Sequence, residues 1–132
     1  MSDANDPQLN LFVTAVLGKK ALDVVILNVG ELTSLADTFI ICNGHSNRQV
    51  TAIAEHIRTA LKKEDIVPLS IEGLREGHWV LMDYGNVVIH VFHDPVRRFY
   101  DLEGLWADAP RISTLALDEW NRRPTGPDAP TD

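Results

Sequence analysis

The stretch that decides the fold is HWVLMDYGNVVIHVFH, which runs from His78 to His93. It predicts two strands of about seven residues each, an ordinary strand length, joined at Gly85-Asn86. Glycine in the first of two loop positions suits a type II′ hairpin turn, which needs a positive φ there. A loop of two residues also fixes the register of the pair, so that His78 lies opposite His93.

Alternation along the two strands sorts the hairpin side chains onto two faces. The first face is apolar apart from one phenol and is predicted to be core: Val80, Met82, Tyr84, Val87, Ile89 and Val91. The second face mixes large aromatic side chains with a carboxylate and an imidazole: Trp79, Leu81, Asp83, Val88, His90 and Phe92. A strand that is covered on both sides usually has a near-continuous apolar sequence, and the polar residues of this second face depart from that pattern. We therefore expect the second face to be partly uncovered and to form an interaction surface. The alternative is that a helix covers it and that Trp79 is a core residue.

Helical and strand patterns precede this hairpin in an order typical of an α/β domain. The predicted elements are a helix over 7–18, buried strands over 21–29 and 36–43, a helix opening at Ser46 and a short strand over 66–71. Asp6 followed by Pro7 is a helix-start signal, and Ser46 with Gln49 has the spacing of a capping box. A hairpin beside a strand-helix-strand unit requires both strand directions, so we predict a five-stranded mixed sheet flanked by helices.

The chain after the hairpin predicts one more helix. Asp94, followed by proline, repeats the helix-start signal, and residues 96–106 continue as a helix with Gly104 as its weakest position. Two charged pairs stand four residues apart on this helix and are predicted to meet on its surface: Asp94 with Arg98, and Arg97 with Asp101.

The composition describes an acidic protein of one-domain size. The chain has 132 residues, 45% of them hydrophobic, and a net charge of -7. This charge argues against a large nonspecific contact with nucleic acid, which needs clustered Lys and Arg, and it favours a basic partner surface; we predict no direct sequence-specific binding of nucleic acid. Cys42 has no second cysteine to pair with, which fits a reducing cytoplasm. No run approaches the ~18 apolar residues of a membrane span, and the first residues lack the regions of a signal peptide.

The residues that could carry chemistry do not form an enzyme pattern. His90 and His93 have ligand spacing only on a helix, and His78 opposite His93 has no evident third ligand. We therefore predict neither a metal site nor a cofactor. Ser46 is better explained as a helix cap than as a nucleophile, because no nucleophile-elbow motif surrounds it.

The turn Gly44-His45-Ser46, between a strand and a helix, has a shape that can hold an anion and resembles the Gly-Ser turn of nucleotidyltransferases. Those enzymes place metal-binding carboxylates after the turn, commonly as Asp-x-Asp on the next strand. The sequence contains no Asp-x-Asp, and the nearest spacing, Asp101-x-Glu103, falls in the predicted last helix. Without carboxylates to hold magnesium, the turn lacks the metal ion that phosphoryl transfer requires. The turn therefore looks like a relic of an enzyme fold without its chemistry.

Several motifs in a fixed order resemble the Iojap family of ribosomal silencing factors. They are Asp37 to Cys42, Gly44 to Val50, Gly77 to Val80, Asp83 to Gly85, Val87 to Val91, and Arg98-x-Tyr100-x-Leu102-Glu103-x-Leu105-Trp106. The resemblance implies a nucleotidyltransferase-like α/β fold without the catalytic carboxylates. It also implies a non-enzymatic protein that binds the large ribosomal subunit through its protein number fourteen. Such a protein blocks joining of the small subunit and represses translation, typically when nutrients are short. The resemblance also implies that copies can self-associate.

The resemblance makes Trp79 part of the contact surface. The hairpin register adds four residues of the same face: Leu81, Asp83, His90 and Phe92. Three residues of the last helix match the family pattern and complete the predicted partner-binding set: Arg98, Tyr100 and Trp106. For Tyr100 and Trp106 the alternative is that they pack the helix on the sheet. Two other functions stay open: an active nucleotidyltransferase, and a homodimer that uses the Trp79 face.

The chain divides into four predicted segments. A flexible lead covers residues 1–7, and an Iojap-like α/β domain covers residues 8–106. A C-terminal extension over 107–120 is partly helical, with a further turn or two of helix near its end. Residues 121–132 are rich in Pro, Thr and Asp and are predicted to be disordered.

Overall fold

Ten helices and strands follow one another in this computed structural model, which describes residues 6–18 and 20–122. They are α1 (Pro7–Leu17), β1 (Leu22–Asn28), β2 (Thr38–Gly44), α2 (Asn47–Lys62), β3 (Ser70–Glu72), β4 (Trp79–Asp83), β5 (Val87–His93), α3 (Asp94–Tyr100), α4 (Leu102–Leu105) and α5 (Leu115–Arg122). Within those two ranges, no helix is long and apolar enough to cross a membrane. The lead predicted for 1–7 and the tail predicted for 121–132 lie outside the described residues, apart from 6–7 and 121–122.

The five strands form one sheet in the order β1-β2-β5-β4-β3. At its centre β2 and β5 are parallel, while every other neighbouring pair is antiparallel. A parallel pair needs a crossover connection, and the chain between β2 and β5 supplies one that contains α2. The predicted mixed five-stranded sheet flanked by helices is confirmed.

The hairpin has the predicted register. Its paired residues are Trp79 with Phe92, Val80 with Val91, Leu81 with His90, Met82 with Ile89 and Asp83 with Val88. Gly85 turns with a φ of 89°, and the Tyr84 N–H closes the loop by donating to the Val87 carbonyl at 2.9 Å. The first strand is shorter than predicted, with five residues in β4.

Side-chain caps fix the starts of α1 and α2, as the sequence predicts. The Asp6 carboxylate accepts from the Gln8 N–H at 2.9 Å, and the Ser46 hydroxyl accepts from the Gln49 N–H at 3.0 Å. The Gln49 side chain accepts from the His45 N–H at 2.6 Å, one residue before the position that a capping box uses. These caps satisfy N–H groups that have no partner within the helix.

Helices cover the two faces of the sheet unequally. The first face packs against α1, α2 and α5 and forms the larger core. Its fully buried hairpin residues are Val80, Met82, Ile89 and Val91, which confirms the predicted core face. The second face lies under α3, α4 and the segment that follows them, with Val96 and Trp106 only partly buried against it. The second face therefore has a thinner cover than the first.

The single helix predicted over 96–106 is wrong, because the chain breaks at Asp101 and not at Gly104. Asp101 has a left-handed backbone with a φ of 46°, which ends α3. Its carboxylate then accepts from the Gly104 N–H at 3.2 Å and caps α4. The break is stable because a short polar side chain tolerates the left-handed conformation and satisfies the new helix end.

The strand predicted over 66–71 begins later than expected. In the structure β3 covers only Ser70–Glu72. Pro68 lies within the predicted range, and its lack of an N–H prevents it from donating to a strand ladder.

The C-terminal extension is attached to the outer edge of β1. The Asn28 N–H donates to the Pro110 carbonyl, and the Ile112 N–H donates to the Ile26 carbonyl, both at 2.8 Å. Beyond this edge contact, α5 packs on α1 and buries Leu117. The extension therefore covers polar groups that an edge strand would otherwise present to solvent.

The turn glycine gives a direct test of the hairpin. We expect Gly85→Ala to lower the free energy of unfolding by about 1–2 kcal/mol, because an L-residue is strained at this positive φ. Urea unfolding followed by circular dichroism measures the change. The neighbouring variant Asn86→Ala is the control and should change stability by less than about 0.5 kcal/mol, since Asn86 is exposed. Equal effects of the two variants would contradict a strained position at Gly85.

Candidate functional site

Large aromatic and aliphatic side chains gather where α3 and α4 cross the second face of the sheet. We name this surface the aromatic face and define it by Trp79, Phe99, Tyr100, Leu105 and Trp106. The Trp79 ring lies 5.1 Å from that of Tyr100, which lies 5.1 Å from that of Phe99. The Trp106 ring packs edge-on against Phe39 of β2 at 5.3 Å. The aromatic face is therefore anchored on both β4 and β2.

Our expectation that the whole second face of the hairpin is partly uncovered is wrong for two predicted contact residues. His90 is only 4% exposed and Phe92 is fully buried, because β5 lies at the centre of the sheet. Trp79 itself covers them, since its ring stacks on Phe92 at a centroid distance of 4.8 Å. Three predicted residues on β4 remain half-buried and accessible: Trp79, Leu81 and Asp83.

The predicted residues of the last helix lie on the exposed side of α3 and at the end of α4. Arg98 is exposed, Tyr100 is 55% exposed, and Trp106 is half-buried. The break at Asp101 makes this possible, because it turns Tyr100 toward Trp79 and leaves Trp106 against Phe39. The structure thus brings six of the eight predicted residues to accessible positions.

Two residues of the aromatic face were not predicted from the sequence. Phe99 is 80% exposed and Leu105 is 77% exposed, and neither was predicted as a contact residue. Residues 96–106 contain six large apolar side chains, more than one face of a three-turn helix buries, and this excess was the available signal. Exposed apolar side chains grouped in this way usually mark an interaction surface.

Arg97 fastens α3 and α4 to the ends of the strands. Its guanidinium donates to both carboxylate oxygens of Glu103, at 2.9 and 3.1 Å, and to the Asp23 carbonyl at 2.8 Å. A further bond reaches the Asn43 side chain on β2. The Arg97 side chain is only 11% exposed, so these bonds lie in a partly desolvated setting. The hydrogen bond from Arg97 holds the pKa of Glu103 below its usual value.

Both surface ion pairs predicted for this helix are wrong. Arg97 pairs with Glu103 because Asp101 turns away to cap α4. Asp94 contacts Asn43 and His45 at the end of β2, so it links α3 to the sheet. Both charged groups therefore hold elements together where the sequence suggested only surface pairs.

A polar cleft of about 490 Å³ lies where the parallel strands β2 and β5 end. From the Gly44-His45-Ser46 turn it takes His45, and its other lining residues are Asp23, Asn43, Asp94, Arg97, Arg98, Asp101 and Glu103. Ser46 caps α2, which accounts for its position in the turn. In the part of the chain that the structure describes, no group of three or more His, Cys, Asp or Glu residues is placed to hold a metal ion. The cleft thus holds carboxylates without a cluster arranged for magnesium.

Burial perturbs the titration of His90. Desolvation lowers its pKa to about 4, because the charged imidazolium is disfavoured in the apolar surroundings. Its Nδ1 accepts a hydrogen bond from the Trp79 Nε1–H at 3.2 Å, so His90 is neutral in the folded protein near pH 7. The imidazole therefore acts as a buried acceptor beneath the aromatic face.

Comparison with known proteins identifies relatives of this chain in sequence and in structure. Residues 2–131 match the family model described as ribosomal silencing factor during starvation. A ribosomal silencing factor of Halalkalibacterium halodurans is 44% identical over 109 residues, which cover 83% of this chain and 93% of that protein. The chloroplastic protein Iojap of Arabidopsis thaliana is 34% identical over 100 residues, covering 76% of this chain and 42% of that protein. A crystal structure of a Bacillus halodurans protein superposes with a TM-score of 0.73 at 41% identity, covering 83% of this chain and 99% of that one.

The burial of His90 predicts a loss of stability in mild acid. Its pKa is lowered on folding, so the unfolded chain binds the proton more tightly and gains population as the pH falls from 6.5 toward 4. We expect the free energy of unfolding to fall by about 2 kcal/mol between pH 6.5 and 4.5. Urea unfolding at several pH values measures this, and His90→Asn should remove most of the loss. An unchanged pH dependence in that variant would contradict the assignment to His90.

The role of Arg97 in fastening α3 and α4 predicts a second stability effect. We expect Arg97→Ala to lower the free energy of unfolding by about 2 kcal/mol, because it leaves the partly buried Glu103 without its partner. The control is Arg98→Ala, one residue further along the helix and exposed, which should cost less than about 0.5 kcal/mol. Thermal and urea unfolding of both variants provide the comparison. Similar losses of stability in both variants would argue against the proposal that Arg97 holds α3 and α4 on the sheet.

Proposed function

Because this chain belongs to the family of ribosomal silencing factors, we propose that it represses translation by binding the large ribosomal subunit. The proposed partner is the protein numbered fourteen of that subunit. A factor bound there occupies space that the small subunit needs, so the two subunits fail to join. We expect this repression to operate in the cytoplasm when nutrients are limiting.

The observation that carries this proposal is the aromatic face. Phe99, Tyr100 and Leu105 are exposed beside Trp79 and Trp106. Tryptophan and tyrosine are the residues that most often dominate the binding energy of protein interfaces. Large apolar side chains in contact with water also gain free energy when a partner covers them. These features support docking of a protein, for which Trp79 and Tyr100 are the proposed anchors.

Charge supports a basic partner. The chain carries a net charge of -7, and complementary charge speeds the encounter with a basic ribosomal protein. Asp83 stands on β4 two strand positions beyond Leu81 on the same face and is half-buried there. Its Oδ1 accepts from the Gly85 N–H at 2.8 Å, which fixes the carboxylate at the hairpin turn. We propose that Asp83 and Leu81 extend the contact from Trp79 along β4.

The proposed mechanism is steric and needs no reaction or cofactor. Binding alone excludes the small subunit, so the cleft at the end of β2 and β5 takes no catalytic part. Its carboxylates are instead engaged within the fold, with Glu103 bonded to Arg97 and Asp101 bonded to the Gly104 N–H. The alternative of an active nucleotidyltransferase requires magnesium-dependent nucleotide turnover, and such turnover by the purified protein would overturn this part of the proposal.

The test compares variants of the aromatic face with a matched variant on the opposite side of the sheet. We expect Tyr100→Ala and Phe99→Ala each to weaken binding to the purified ribosomal protein by about tenfold, the cost of removing an aromatic contact at an interface. Leu115→Ala is the control, because Leu115 is 66% exposed on α5, which packs on the other face. Calorimetry measures affinity, and circular dichroism verifies that each variant is folded.

Sedimentation of ribosomal subunits tests the function itself. The protein should shift joined ribosomes toward free subunits, Tyr100→Ala should shift fewer, and Leu115→Ala should match the unmodified chain. An unaltered profile with the unmodified chain would overturn the proposed function. Normal activity of both aromatic-face variants would instead place the docking surface elsewhere on the molecule.

The exposed aromatic face also favours a second candidate, in which it joins two copies of the chain. Sedimentation equilibrium of Tyr100→Ala separates the two interpretations. Loss of a dimer with full retention of binding to the ribosomal protein would favour the dimer interface. Loss of binding by a variant whose mass in solution is unchanged supports docking on the ribosome.

A further inference from the structure

We propose that His90 is a positioning residue, which holds the indole of Trp79 in the orientation that the partner meets. This inference rests on the proposed function, because it concerns the surface that docks on the ribosomal protein. The hairpin register predicts His90 on that surface, but the residue is 4% exposed and lies beneath it. His90 can therefore affect binding only indirectly, by acting on a neighbouring residue that the partner contacts.

The contact that connects the two residues is a side-chain hydrogen bond. The Trp79 Nε1–H donates to His90 Nδ1 at 3.2 Å. An imidazole nitrogen accepts only when it carries no proton, so the neutral ring must hold its proton on Nε2. The two residues are diagonal neighbours across the hairpin, because Trp79 pairs with Phe92 and Leu81 pairs with His90. The bond therefore joins neighbouring strands through side chains on one face.

Stacking alone does not fix the orientation of the indole. Phe92 lies below the Trp79 ring at 4.8 Å with an interplanar angle of 29°, and Tyr100 lies against it at 5.1 Å. These contacts fix the plane of the indole ring. They are compatible with either of the two orientations that the ring can adopt in that plane. The hydrogen bond distinguishes them, because only one orientation brings Nε1 to His90. The combination defines which edge of Trp79 is presented to solvent.

The surroundings of His90 favour a positioning role over a purely structural one. Phe39 packs edge-on against the imidazole at 4.8 Å, and Phe92 lies parallel to it. Among the described residues, His90 Nε2 is buried and has no hydrogen-bond partner. A buried polar atom in that state costs stability, which an apolar side chain at this position would avoid. The bond to Trp79 is the contribution that an apolar residue could not make.

An orientation fixed in advance strengthens binding because the partner need not immobilise the ring itself. The affinity gained from one ordered side chain is about two- to tenfold. We therefore expect loss of the hydrogen bond to weaken docking within this range, while removal of the Trp79 side chain weakens it further.

The test uses two variants of nearly equal shape. His90→Leu removes the acceptor, whereas His90→Asn keeps an oxygen close to the position of Nδ1. We expect His90→Leu to bind the purified ribosomal protein about fivefold more weakly, within the range of one net hydrogen bond, and His90→Asn to bind within about twofold of the unmodified chain. In a Trp79→Phe background, which lacks the indole N–H, His90→Leu should have no further effect on affinity.

A spectroscopic signature reports the bond without any partner. In ¹⁵N-labelled unmodified protein, a scalar coupling between Trp79 Nε1 and His90 Nδ1 shows the N–H···N bond directly. The indole N–H of Trp79 should also exchange slowly with water in the unmodified chain and in His90→Asn, and faster in His90→Leu. This measurement holds even if a variant fails to fold, because its first part uses the unmodified protein.

The outcomes separate this inference from the proposed function. If the unmodified chain does not bind the ribosomal protein, the proposed function fails, while the coupling still tests the hydrogen bond. Suppose that the unmodified chain binds the ribosomal protein and that Trp79→Ala abolishes this binding. If folded His90→Leu then binds as tightly as the unmodified chain, the positioning role alone is overturned. Absence of the coupling would overturn the geometry on which it rests.

Discussion

The central strand β5 is hydrogen-bonded on both edges and covered on both faces, and this constraint orders the molecule around it. Its parallel pairing with β2 requires a crossover, and its antiparallel pairing with β4 requires a tight turn at Gly85. Because strand side chains alternate, Ile89 and Val91 enter the larger core while His90 and Phe92 point to the other face. Residues 87–92 of β5 are therefore buried, and this part of the strand is not accessible to a partner.

The surface available for docking consequently moves outward from β5 to the elements that cover it. Trp79 on β4 stacks over Phe92, and Tyr100 of α3 lies against Trp79. The buried rings act as a rigid base for the exposed ones. An interface built on such a base loses less side-chain entropy when a partner binds, which suits the protein docking that we propose for the aromatic face.

Buried polar groups connect this surface to the scaffold. Arg97 joins α3 and α4 to the ends of β1 and β2 through Glu103, Asn43 and the Asp23 carbonyl. The carboxylates near the Gly44-His45-Ser46 turn thus stabilise the placement of helices.

The sequence by itself determined the strands of the sheet, the hairpin register and both helix caps, because each follows from a local rule. The strands follow from a side-chain period of two, the register from the positive φ of Gly85, and the caps from the side chains of Asp6 and Ser46. It also singled out Trp79 and Tyr100, which the structure leaves accessible. Only the tertiary structure decided that His90 and Phe92 are buried, since this depends on the position of β5 within the sheet. Likewise, the attachment of α3 to the strand ends depends on the bonds from Arg97 to the Asp23 carbonyl and to Asn43, which lie 74 and 54 residues away in the chain and which no local pattern encodes.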